Sequence, residues 1–513
     1  MPRTDTLMAA GLGALAAVAL TMLAISLVGL ELPYTVMVVL LAILLLAALV
    51  RELVVFRDPL TPGGIVAMTG LLLFVLRPLT ILANGITSPG AIADSQFFSA
   101  SLMRAGSAGL AQTLAFFFAF YCVYIAFSTL ADRAAARRGF PTQFHDLQPS
   151  VRLDGPNRIV NGTALQAILV AFCLVAVGAL VSLIASAGGL SAYIAGIANR
   201  SDFLAGRSFL VLGYVPIQIA LVLNVLRLRS EGLRVWNTAN LIGLGALLLT
   251  GIAAGGRGPF VIGVILPLVL LKQLSPKPLK LRTLGVLGLA VIVIAVSYSI
   301  VIRNANYDQG RSLAQFRANP TAAILDQITS GAETRPFDSV IRLNDAVIND
   351  DDFQFQNGST YATAPTWFIP RALWAEKPSG GGNTWFTSNY VPRFYGVNRV
   401  ETSLSAVGEG YANFGFPGVL LAGSALGALG VALRRQQFPR RGLLGRTLIV
   451  SLSPLMFSII RGDLYQGGSL TAASTILACV LYFVVSRPAG GSEHTALPHP
   501  AHRTELRPSL PLP

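Results

Sequence analysis

Trp367-Phe368-Ile369-Pro370-Arg371-Ala372-Leu373-Trp374-Ala375-Glu376-Lys377-Pro378 lies in the only long polar stretch of this chain that is held between hydrophobic runs. The stretch extends from Arg303 to Tyr411 and closes on Gly408-Glu409-Gly410-Tyr411-Ala412-Asn413-Phe414-Gly415. A run of ~20 apolar residues crosses the hydrocarbon core of a bilayer. Working outward from the polar stretch, such runs fall near 8–30, 33–50, 62–84, 108–130, 163–186, 208–226, 237–254, 258–272 and 283–302 on one side, and 412–433, 446–461 and 468–486 on the other. The expected fold is an all-α polytopic membrane protein of about twelve transmembrane helices with one large loop. Residues 1–302 would hold spans one to nine, 303–411 the loop, 412–486 spans ten to twelve, and 487–513 a disordered cytoplasmic tail.

Composition supports this division. Of 513 residues, 53% are hydrophobic and 12% charged, against roughly 25% charged in a soluble domain. The net charge of +14 would suggest nucleic acid as a partner for a soluble protein. Here the Lys and Arg sit mostly in short loops between spans, so membrane orientation explains them first and nucleic acid is not the expected partner. Cys122, Cys173 and Cys479 all fall in apolar runs, which fits neither zinc spacing nor a disulfide framework. The four histidines, His145, His494, His499 and His502, lie outside the polar stretch. That argues against a histidine metal site or a histidine base there.

Placing the N-terminus in the cytoplasm puts Arg51 and Arg57, then Arg133, Arg137, Arg138, Arg152 and Arg158, then Arg227, Arg229 and Arg234 on the inner side. Lys272, Lys277, Lys280 and Arg282 follow, and then Arg434, Arg435, Arg440, Arg441 and Arg446. The 303–411 loop has nine Lys or Arg against eleven Asp or Glu. This positive-inside pattern places both termini inside and the loop outside. Arg3 precedes the first run and no small-residue cleavage site follows it, so the first run reads as an uncleaved span.

Within the loop, Phe337, Val340, Ile341, Val347 and Ile348 trace one face of an amphipathic helix over 336–350, with Asp338, Arg342 and Asp345 off that face. Asn357-Gly358 marks a turn and Gly380-Gly381-Gly382 a flexible connector.

Ionisable groups at the mouths of spans are expensive to bury, which makes each a functional candidate. Arg77, Arg257, Arg303 and Arg461 stand at outer ends of spans, and Arg371 and Lys377 come from the loop. Guanidinium forks match phosphate oxygens through paired, charge-assisted hydrogen bonds. Arginines at the outer boundary therefore point to a lipid phosphate or diphosphate, although single ones also snorkel to headgroups. The glycines around Arg257 suit either a close ligand approach or a tight interhelical turn. Glu409, between two glycines where the loop re-enters the membrane, is the candidate general base. An ion pair with one of the arginines is the alternative for it. Asp463 beside Arg461 is the second acid, read first as that arginine's partner.

Ile369-Pro370-Arg371, Trp374 and Lys377-Pro378, followed by Thr402-Ser403 and Gly408 to Gly415 with Gly418, together resemble the bacterial oligosaccharide repeat-unit polymerases, the O-antigen or Wzy-type family. Gly256-Arg257-Gly258 and Arg461-Gly462 are similar to that family as well, and the likeness covers mainly 250–465. The resemblance implies a metal-independent, cofactor-free, GT-C-like glycosyltransferase of the bacterial cytoplasmic membrane. Its substrates would be undecaprenyl-diphosphate-linked oligosaccharides among membrane lipids, with a chain-length regulator and a flippase as partners. Glu409 and Arg371 would be catalytic; Arg257, Arg303, Lys377, Arg461, Arg77 and Tyr411 would bind diphosphate or glycan. Two other readings stay open. One is the O-antigen ligase, in whose outer loop a histidine matters, where this loop has none. The other is a transporter or flippase for lipid-linked glycans.

Overall fold

Runs of Leu, Val, Ile, Ala and Phe fold as helices because a bilayer offers no hydrogen-bond partner to an open backbone. The computed structural model describes residues 34–56, 60–84, 99–137, 158–198, 212–254, 265–270, 311–329, 335–369, 376–378, 380–391, 402–436 and 442–488, with isolated positions between them. It is all-α apart from one short strand pair. In chain order the helices that matter here are α1 (Tyr34–Val54), α2 (Pro62–Leu82), α3 (Ser99–Arg137) and α4 (Gly162–Ser186). They are followed by α5 (Tyr214–Ser230), α6 (Thr238–Ala253), α7 (Arg335–Asn349) and α8 (Gly382–Tyr390). Last come α9 (Ser405–Arg435), α10 (Gly442–Leu452), α11 (Leu455–Arg461) and α12 (Leu464–Val485).

Six of these, α1, α2, α3, α4, α9 and α12, are long and apolar enough to cross a membrane. The count is seven if α10 and α11, bent by 40°, make one span. The chain is therefore a multi-pass membrane protein, with fewer spans among the described residues than the twelve expected. The runs at 208–226 and 237–254 become α5, of 17 residues, and α6, of 16. The runs at 8–30 and, for most of their length, 258–272 and 283–302 lie outside the described residues, as does the tail from 489.

The core of the bundle is α3 against α9. Close approach there is set by small residues: a Cβ on Gly423 would stand 2.7 Å from the Phe120 carbonyl, and one on Gly427 3.1 Å from that of Tyr124. In lipid, where apolar surface gains nothing by meeting apolar surface, such backbone contact is what draws helices together. Phe74 and Phe117 stack at 4.2 Å and fill the space between α2 and α3.

The two ends of the bundle differ chemically. At one end α1, α3 and α9 carry Arg51, Arg137, Arg434 and Arg435 in their last turns. Arg51 and Arg434 there share Glu52 and Asp132, at distances of 2.7–3.2 Å, and Thr61 donates to the second Glu52 oxygen at 2.7 Å. The same end carries the strand pair β1 (Arg158–Val160) and β2 (Ser486–Pro488), antiparallel, which ties the start of α4 to the end of α12. Arg227 and Arg229 end α5 beside Gly162, the first residue of α4.

The opposite end is covered by the loop. α7 buries Phe337, Val340, Ile341, Leu343 and Ala346 against α3 and α9. The expected helix is present, yet its buried face is wider on the polar side. Asp338 and Asp345, placed off the apolar face, are both buried, whereas Ile348, placed on it, is 58% exposed. The reason lies in another part of the chain. Arg77 grips Asp338 with Nε and Nη2 at 3.1 and 3.0 Å, and Arg104 grips Asp345 in the same way at 3.2 and 2.6 Å.

Burial pushes the Asp345 carboxyl up, but hydrogen bonds from Arg104, Asn349 and Ser101 outweigh it and hold the group below its usual value. The stability it contributes is full above the unfolded value of ~4 and is lost as pH falls through the lower folded value. Acid should therefore free α7 while the bundle persists. Amide exchange along 335–349 that rises on acidification, ahead of exchange in α3, is the expected result. Uniform protection down to global melting would contradict it.

Candidate functional site

The polar loop and the helix bundle are joined at Glu409. It lies in the first part of α9, ahead of a break at Phe414 and Gly415, where Gly415 takes φ 63°. The break folds the two halves of α9 so tightly that a Cβ on Gly418 would collide with the Gly410 carbonyl. Glycine at both positions is what permits this. The loop thus ends at Ser405, where α9 starts, and Glu409 is a helix residue rather than a loop residue.

Glu409 is 1% exposed. Its Oε1 accepts from Thr360 Oγ1 at 3.0 Å and from the Gly382 amide at 3.3 Å; its Oε2 accepts from the Leu464 amide at 2.7 Å. Four residues on, one helical turn away, Asn413 accepts from the Gly358 amide at 2.9 Å and donates to Thr360 Oγ1 at 2.7 Å. Backbone bonds from Gln356 and Asn357 to the carbonyls of Ala412 and Asn413 complete this seam.

Asp463 is the companion acid. It caps the turn that opens α12 by accepting from Gln466 N at 2.9 Å, and it accepts from Asn383 N, also at 2.9 Å. The first two amides of α8, Gly382 and Asn383, therefore point at two carboxylates from other parts of the chain. Helix N-termini present unsatisfied N–H groups and partial positive charge; Gly381, at the cap position, supplies no side chain. Glu409 and Asp463 fill that role in its place. The glycines are required by crowding: a Cβ on Gly382 would stand 2.9 Å from Glu409 Cγ, and one on Gly381 would collide with Tyr465 Cβ. Gly380-Gly381-Gly382 is a close-packed joint and not the flexible connector expected. Asn383 Oδ1 then accepts from the Leu404 amide at 2.7 Å and closes the circuit back to the start of α9.

The sequence candidates divide into three groups. Glu409, Lys377 and Arg461 come to one neighbourhood with Asp463. Arg461 ends α11 two residues before Asp463, and Gly462 between them abuts Asn383. Lys377 Nζ lies 5.9 Å from the centre of the Tyr465 ring and donates to the Ile369 and Trp367 carbonyls at 3.0 and 3.4 Å. It is buried, and those two bonds hold it to the backbone at Trp367 and Ile369.

Arg77 and Tyr411 form the second group. Arg77 is 2% exposed and committed to Asp338, which corrects its reading as a diphosphate ligand. Tyr411 donates to Asn344 Oδ1 at 3.1 Å and packs on Phe116 at 4.5 Å; it faces α7 and α3, not the carboxylates. Arg257, Arg303 and Arg371 make up the third group and lie outside the described residues.

Sequence reasoning missed Thr360, Asn383 and Asn413. The spacing of Asn413 from Glu409, four residues on one helix face, is the one local signal that could have found any of them. Tyr361, half-buried, also belongs here. Burial and then the charge of Glu409 push its phenol upward, so it stays protonated and able to donate. Among the described residues no group of three or more His, Cys, Asp or Glu could hold a metal ion.

A carboxylate has about four acceptor positions, and three of those on Glu409 are taken. It suits the work of positioning the 462–464 turn and α8 better than that of a freely accessible base. Comparison with known proteins adds no name: the chain matches no family model, no curated protein and no solved structure.

Proposed function

We propose that the chain polymerises undecaprenyl-diphosphate-linked oligosaccharide repeat units into a surface polysaccharide, at the outer face of the bacterial cytoplasmic membrane. The observation that carries this reading is the polar knot of Glu409, Asp463, Thr360, Asn383 and Asn413 at the loop end of the bundle. It fastens together the start of α8, the first part of α9 and the turn that follows Arg461. The arginine-rich opposite end faces the cytoplasm by the positive-inside tendency, which puts the knot outside, where lipid-linked sugars are joined. About twelve spans with a GT-C-like arrangement remain the proposed complete architecture.

In this mechanism Arg257, Arg303, Arg371 and Arg461 hold the donor's diphosphate and stabilise the negative charge that develops as the sugar–phosphate bond breaks. The acceptor hydroxyl attacks the anomeric carbon, the bond from that carbon to the diphosphate oxygen breaks, and the hydroxyl proton passes to the departing lipid diphosphate. Glu409 and Asp463 act as positioning groups that hold α8 and the 462–464 turn in register.

A gel profile of surface glycans from cells lacking the gene tests the proposal. Loss of the ladder, with single-repeat glycan still reaching the surface, is expected. Long polymer left on its lipid carrier would indicate a ligase instead, and repeat units stranded on the cytoplasmic side a transporter. Restoring the gene with Arg257→Ala or Arg371→Ala should leave polymerisation absent with the protein in the membrane, and Lys at either position should rescue poorly, because an ammonium cannot make paired phosphate contacts. Full ladders from both Ala variants would remove these residues from the site.

A further inference from the structure

The far end of α8 carries a constellation that the Glu409 knot does not use. Trp385 and Tyr390 meet edge to face at 5.5 Å, and Tyr390 also touches Phe353 at 6.3 Å and Phe386 at 5.7 Å. Arg342 from α7 places its guanidinium 5.8 Å from the centre of the Tyr390 ring while donating to Asp345 at 2.9 Å. Trp385 and Tyr390 are half-buried, and Asn389 between them is exposed. The Asn389 amide donates to the Trp385 carbonyl at 2.8 Å, which leaves its side-chain oxygen as an acceptor. Among the described residues the Trp385 indole N–H makes no hydrogen bond. The charge of Asp350 also reaches Tyr390.

This combination has a specific chemical match. A pyranose ring presents a C–H face on one side and, around its edge, hydroxyls that each donate and accept. Half-open aromatic surface suits the first. A rim of donors (Arg342, the Trp385 indole) and an acceptor (Asn389) suits the second. A purely structural aromatic core would bury these rings, and a buried indole N–H normally finds a partner. A patch facing the hydrocarbon interior would carry no charged rim.

We propose that Trp385, Tyr390, Arg342 and Asn389 form a carbohydrate-binding subsite that takes a ring of the oligosaccharide chain. It deepens the polymerase reading and rests on it for the source of that chain. α8 has nine residues, so its two ends lie ~12 Å apart. The ring held by Trp385 and Tyr390 is therefore set back along the chain from the sugar being joined at the Glu409 end.

The test uses the full-length protein in lipid nanodiscs and, as probe, oligosaccharides released by mild acid from the producing cell's own surface polysaccharide. Binding to the wild type is expected, with Trp385→Ala and Tyr390→Ala weakening it by roughly tenfold or more. Tyr390→Phe should bind as the wild type, since the ring remains. Arg342→Gln should also weaken binding; Asp345 keeps Arg104 and Asn349, so an unchanged melting temperature would separate lost binding from lost fold. No binding by the wild type, or equal binding by all variants, would overturn the subsite. An intact glycan ladder in the deletion strain together with the expected binding pattern would overturn the polymerase reading alone.

Discussion

Replacing Arg77 by alanine is expected to destabilise the protein by roughly 3–5 kcal/mol, the typical cost of removing one partner from a buried ion pair. Asp338, 2% exposed, would be left as an uncompensated charge between α7 and the bundle. The double exchange Arg77→Met with Asp338→Leu removes both charges and should regain most of the loss, because apolar side chains of similar volume replace buried pairs at little or no cost. Thermal melting in detergent, with limited proteolysis across 335–349, measures both. A double variant no better than Arg77→Ala alone would show that the pair matters for something other than charge compensation, and Arg77 would return to the list of ligand residues.

The second large effect is expected at Glu409. Alanine there strands the Thr360 hydroxyl and the amides of Gly382 and Leu464, each at roughly 1–3 kcal/mol when buried without a partner. Loss of the glycan ladder should accompany the lower melting temperature. Glutamine separates the two roles open to this residue. As a positioning group Glu409→Gln fails in part, since its NH2 faces donors where an acceptor is needed, so activity and melting temperature fall together. As a catalytic base it would lose activity with the melting temperature unchanged. The second pattern would refute the positioning role argued from the three hydrogen bonds.

Much of this protein was legible in its sequence. The apolar runs foretold six or seven spans among the described residues, because a bilayer leaves the backbone no alternative, and Arg51, Arg137, Arg434 and Arg435 do gather at one end. α7 was readable from its periodicity, and Glu409 from its place between glycines where the loop meets the bundle. Local rules misread the polar partners, and for one physical reason. The cost of burying a charge is set by what approaches it from elsewhere in the chain. Asp338 and Asp345 read as off the apolar face until Arg77 and Arg104, more than 200 positions earlier, reached them. Arg77, taken for a ligand residue, was thereby already occupied. Gly380-Gly381-Gly382 looked flexible until Glu409, Asp463 and Tyr465 filled the space where its side chains would be. Pattern and composition determined that this is a helical, multi-pass membrane protein. Only the tertiary structure decided which of its charges hold the fold, because a buried charge is set by the partner that reaches it from elsewhere in the chain.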